Sequence, residues 1–276
     1  MAQTLTIASL VQDSLAKTRT LILPSLPFAA GFCLLYGAFA WVSGVLPDDG
    51  TGTLIFLALF LGLLFAHSVF SVSMYHAVVP ARAGLVGSAW KLTLAWLLMA
   101  VIAAIGASMI VLFFAVIGPS LGVGTSDDVG NISDMTAQMR ENGTFGPIFA
   151  IFLAVLAGVF WFAIRMVLFA VATAARGTIH VLRTWSWTKG YAVTLAPAVF
   201  ALIIVPLVAL LYVSSAVTHP LFGPDPSPLF TGVSAVITML ILLPSAWLGH
   251  GLAASIYAHI APGEMDQTMT PASNSD

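Results

Sequence analysis

Charge is what this sequence has least of. Only 7% of its 276 residues are charged, where a soluble globular chain carries about a quarter. Hydrophobic residues make up 59%. A water-soluble fold cannot hide that much apolar surface, so the solvent for most of the chain is lipid. Lys and Arg are too few and too scattered to track a phosphate backbone, so nucleic acid is not an expected partner. Cysteine is nearly missing too. Cys33, in the first long apolar run, cannot form an internal disulfide, and no Cys-His zinc spacing exists. It reads as a small buried hydrophobe. The N-terminus lacks the charged start of a cleavable signal peptide, since Lys17 and Arg19 come only after an amphipathic stretch. Neither end carries a lipidation motif.

What is present is long apolar runs. A membrane-crossing helix needs about 20 mostly apolar residues. Six segments meet this: Leu21 to Leu46, Leu54 to Val79, Leu92 to Ile117, Pro147 to Ala175, Tyr191 to Ser214, and Leu229 to Ile260. They are too uniformly apolar to be strands of an outer-membrane barrel, which alternate polar and apolar residues. The expected fold is an all-α, polytopic transmembrane bundle of six spans.

Basic residues give the orientation. Lys17 and Arg19 precede the first span, Arg82 and Lys91 separate the second from the third, and Arg176, Arg183 and Lys189 separate the fourth from the fifth. All of these fall on one side; Arg140 falls on the other and Arg165 within span four. The opposite loops hold Asp48, Asp49, Asp127, Asp128, Asp134, Glu141 and Asp225. By the positive-inside rule both termini are cytoplasmic, and the expected place is a bacterial inner membrane.

Residues 1–20 read as an amphipathic interfacial helix, with Leu5, Ala8, Val11 and Leu15 at helical spacing. Residues 21–260 form the membrane domain, and 261–276 a polar, disordered tail. In the loop from Pro119 to Gly146, Ser133 reads as the N-cap of a short helix and Gly143 as its C-terminal glycine. Pro24, Pro27, Pro197, Pro206 and Pro244 interrupt the spans as expected kink points.

The segment Leu182-Arg183-Thr184-Trp185-Ser186-Trp187-Thr188-Lys189-Gly190 resembles a loop of a family of bacterial six-span inner-membrane proteins. That family includes the membrane domain fused to some glycerophosphodiester phosphodiesterases. Arg165 to Ala170 is similar to its fourth span, and Ala254 to Ile260 to its ending; Thr188 and Ala258 depart from the pattern. The resemblance implies six spans and no activity, because the phosphodiesterase chemistry resides in a soluble domain that this chain lacks. A shorter echo, Ser88-Ala89-Trp90-Lys91-Leu92-Thr93, precedes span three. Tryptophan and lysine together suit anchoring at the headgroup layer.

No Asp or Glu lies in any expected span, and the loops show no nucleotide-binding, paired-carboxylate or nucleophile motif. Arg165 lies roughly 27 Å along a span that needs about 30 Å, so it is expected to snorkel, with Trp161 and Phe162 covering its stem. The sharper reading is a site for a lipid phosphate. Arg165, Arg176, Arg183, Trp187 and Lys189 are the lipid-headgroup candidates. His67 and His76 in span two, and His250 and His259 in span six, are weak as cofactor ligands. Only His76 and His250 agree in depth, and no cofactor or metal is expected. Gly249, Gly251, Ala253, Ala254 and Ser255 mark a helix-packing face. The functional expectation is a non-enzymatic protein acting through membrane phospholipids or other membrane proteins. A transporter or channel is the alternative, and a cofactor-bearing membrane enzyme stands behind it.

Overall fold

The structure is a computed structural model, described for residues 6–117, 137, 139–223 and 226–261. Among these residues it is all-helical, with six helical stretches long and apolar enough to cross a membrane. The chain is a multi-pass membrane protein. Of the expected tail, Ala261 is described and buried, while residues 262–276, Ser133 and the acidic residues Asp127, Asp128, Asp134 and Asp225 lie outside the described residues. Gly143 does end a short helical stretch, with φ +69° and its N–H on the Arg140 carbonyl.

The elements are α1 (Ile7–Ser43), α2 (Gly50–Val78), α3 (Leu85–Ile117), α4 (Phe145–Met166), α5 (Phe169–Arg176), α6 (Arg183–Trp187), α7 (Ala192–Val199), α8 (Val205–Phe222) and α9 (Pro228–Ile260). Two compact units are present. One holds residues 1–96 and 164–276, the other residues 97–163.

The largest departure from expectation is α1. The amphipathic stretch and the first span are one unbroken helix of 37 residues, running straight through Pro24 and Pro27. Thr6 caps its start by accepting from the Ser9 N–H at 3.2 Å. The reason for its length is a buried stripe: Leu10, Ser14, Thr18, Leu21, Ser25, Ala29, Cys33 and Gly37, three or four residues apart. Both prolines are exposed, off this stripe.

The stripe packs along α9, which runs antiparallel to it. At one end Asp13 accepts from Lys17 at 2.8 Å and from the Ser255 hydroxyl. In the middle the Trp247 indole N–H donates to Ser25 Oγ at 3.1 Å. At the other end a Cβ on Gly37 would sit 2.9 Å from the Gly232 carbonyl, and one on Gly232 2.8 Å from the Gly37 carbonyl. A Cβ on Gly251 would meet the Thr18 hydroxyl at 2.2 Å. Small residues let these backbones touch, and the expected packing face at Gly251, Ala253, Ala254 and Ser255 is buried. Cys33 is buried in the same core, beside Phe70 and Met74.

Span five departs from regularity differently. Between α7 and α8 lies a π-helical turn, Phe200–Ile204, flanked by Pro197 and Pro206. Proline removes a donor and crowds the carbonyl four residues back, and a wider turn relieves both. In the second unit, an apolar cleft of about 590 Å³ lies between α3 and α4, lined by Gly106, Ala107, Val155, Gly158 and Phe162 among others.

Candidate functional site

Span four is broken near its end. α4 stops at Met166 and α5 begins at Phe169, with a turn between them and neither Gly nor Pro to cause it. A break of this kind strands backbone carbonyls, which lipid cannot satisfy. Here the Arg165 carbonyl is satisfied from afar: the Thr188 hydroxyl donates to it at 3.1 Å. Thr188 and Thr184 are both fully buried, so the loop after α5 is held down by its threonines.

That pinning sets the position of two tryptophans. The Arg165 guanidinium lies 4.6 Å from the centre of the Trp185 ring. Arg165 is 6% exposed, and its Nε is buried without a hydrogen-bond partner among the described residues. The arginine therefore does not snorkel, and the ring over it is not Trp161, which is 45% exposed. Helical spacing named the wrong tryptophan because the covering ring comes from another element. The salt bridge among the described residues joins Asp13 to Lys17, so no carboxylate there balances Arg165.

The second stack is Arg176 on Trp187, with 4.5 Å between guanidinium and ring centre. Arg176 Nε also donates to the Tyr257 hydroxyl of α9 at 3.2 Å. Trp185 and Trp187 are two residues apart on a helical turn, so they point to opposite sides of α6. The two arginines thus clamp α6 from either side. Arg183 and Lys189 are exposed beside them, while the Trp185 ring is 38% exposed. All five headgroup candidates lie on or beside this short helix. Trp185, Thr188 and Tyr257 belong with them; Trp185 and Thr188 stand in the quoted motif, and Tyr257 in the quoted ending.

The end of α5 is capped by a third set of contacts. Gly177, at φ +64°, turns the chain in the left-handed region, and a Cβ there would sit 2.7 Å from that of Ala83. The last carbonyls of a helix need outside donors. Ser88 Oγ donates to the Ala174 carbonyl at 3.3 Å and the Arg82 N–H to Ala175 at 2.9 Å. Lys91 Nζ reaches the Gly177 carbonyl, where its charge also suits the helix C-terminus. Lys91 is therefore turned inward rather than anchored among headgroups, whereas Trp90 is 57% exposed.

The two weak cofactor candidates make different contacts. His76 Nε2 lies 3.4 Å from the Ala174 carbonyl, at the end of α5. His250 sits among rings instead, 4.9 Å from Tyr75 and 6.3 Å from Phe70. It shares this aromatic group with His67, the histidine that counting along the spans had set at a different depth. Among the described residues no three His, Cys, Asp or Glu side chains gather as a metal site. Asp13 was missed as a membrane-helix carboxylate because α1 was expected to be two elements. No family model, curated protein or solved structure matches this chain.

Proposed function

We propose that this chain is a non-enzymatic integral membrane protein that holds anionic phospholipid at the cytoplasmic leaflet of a bacterial inner membrane. Both termini are then cytoplasmic, in keeping with the basic residues on one side of the spans and the acidic residues on the other. The resemblance of residues 182–190 to a loop of six-span inner-membrane proteins agrees with that setting.

One observation carries the reading. Arg165 is a buried cation without a carboxylate partner among the described residues. Burying an ion is costly unless an opposite charge or several hydrogen bonds compensate it. Trp185 supplies a part, of order 2 kcal/mol for a desolvated cation on a ring. A phosphate would supply the rest, since its oxygens match the paired N–H groups of a guanidinium. Arg183 and Lys189, exposed beside the stack, add attraction for an anionic leaflet, about 1 kcal/mol for each basic residue near the surface.

Arg165→Lys tests this, because it keeps the charge and loses the planar fork. Native mass spectrometry of the wild type is expected to show retained anionic phospholipid, and the lysine variant should bind it about tenfold more weakly, which corresponds to about 1.4 kcal/mol. Equal retention by the two proteins would refute the role assigned to Arg165.

A further inference from the structure

Away from the arginine stacks, the first unit gathers neutral polar groups inside its apolar core. His67, Ser71 and Tyr75 stand four residues apart on α2, so they line one face of it. Against that face, α9 brings His250, whose ring is 4.9 Å from that of Tyr75. From α3 comes Trp96, its ring 5.6 Å from that of His67. Phe32 and Phe70 enclose the group, 5.4 Å from His67 and 6.3 Å from His250 respectively.

The hydrogen-bonding groups here do not balance. Ser71 is 1% exposed, and its hydroxyl meets no partner among the described residues. The buried indole N–H of Trp96 meets none either. His250 Nδ1 lies 2.7 Å from the Ala246 carbonyl. A carbonyl can only accept, so Nδ1 carries the hydrogen and Nε2 is left as an acceptor. Two unpaired donors thus stand in the same core as an imidazole acceptor, and buried donors of this kind are costly to leave unpaired.

We propose that Ser71, Trp96, His67 and His250 form an internal hydration site, holding water between α2, α3 and α9. Three features select water. No Asp, Glu, Lys or Arg belongs to the group, so an ion bound there would lack a counter-charge. No set of three metal-ligating side chains is found among the described residues. The groups left unpaired call for a small molecule that can both donate and accept, and water does both. Such water would give the core a polar step at a depth where the sequence provides no acid. None of the lipid-site residues belongs to this group, so loss of lipid binding would leave the hydration site intact.

The test uses the full chain in detergent or nanodiscs. With 15N-labelled tryptophan, Trp96→Phe assigns the Trp96 indole resonance by its disappearance. In the wild type that resonance should show a magnetisation-transfer peak to water. Ser71→Ala should lower the thermal midpoint by roughly 2–4 °C, because it takes a ligand from the bound water. An indole N–H with no water peak would overturn the proposal. So would a Ser71→Ala protein as stable as the wild type or more so, since deleting a hydroxyl that binds nothing removes only its desolvation cost.

Discussion

In the segment from Ser88 to Thr93 the lysine faces in and the tryptophan faces out. In the segment from Ser186 to Lys189 the tryptophan faces in and the lysine faces out. The two stretches look alike on paper, each with a serine, a tryptophan, a lysine and a threonine in close order. What separates them is the load placed on each by its neighbours. Lys91 stands over the end of α5, where carbonyls need donors, so its ammonium is drawn to them. Trp187 stands beside Arg176 and Tyr257, so its ring is drawn under a cation. The residues common to the two segments are adaptable amphipaths, and the nearest unsatisfied group decides which end of each is buried.

This contrast can be broken experimentally, and the largest effect is in accessibility. If both segments lie on the cytoplasmic side, cysteines at Gly87 and Ser186 should stay unlabelled by an impermeant thiol reagent added outside intact cells. A cysteine at Gly50, which has open space around it, should label fully. Gly177 is unsuited to this test because its Cβ would press on Ala83. Labelling at Gly87 but not at Ser186 would place the segments on opposite sides and end the comparison.

Next in size is the lysine pair. Lys91→Met should lower unfolding stability by about 2 kcal/mol, the range for a lost hydrogen bond from a charged donor, while Lys189→Met should stay within about 0.5 kcal/mol. Reversible denaturation in mixed micelles measures both, and equal losses would erase the inward–outward distinction. The tryptophan pair should run the other way with a smaller span. Trp187→Leu should cost about 1–2 kcal/mol through its cation and ring contacts, and Trp90→Leu less than about 0.5 kcal/mol. A larger loss at Trp90 would show that lipid anchoring outweighs the stack.

Much of this architecture is legible in the residues. Apolar length marks all six spans, and the run of small residues around Gly251 marks a packing face that the structure buries. Those features are local, set by composition within one helix. The parts that sequence reading misses are set between helices. Nothing near Arg165 in the chain announces Trp185, because the stack depends on a break in span four that neither Gly nor Pro signals. Lys91 looks like an anchor until the carbonyls of α5 are placed beneath it. The continuity of α1 was hidden because its polar stripe resembles an interfacial helix. That stripe gains its meaning only from α9, with Ser255 and Trp247 as partners.

The seam between α1 and α9 also bears on how the protein is made. It joins two membrane helices that are far apart in order of synthesis. During synthesis α1 enters the bilayer carrying Ser14, Thr18 and Ser25 along a face whose partner does not yet exist. Their hydroxyls are quieted in the meantime by carbonyls of their own helix: Ser14 on Leu10, Thr18 on Ser14, and Ser25 on Ile22. These local bonds let α1 wait in lipid as a self-sufficient cylinder. The indole of Trp247 and the hydroxyl of Ser255 arrive more than two hundred residues later to fasten it. Closure of this seam is thus deferred until α9 itself has been made, long after α1 has entered the membrane.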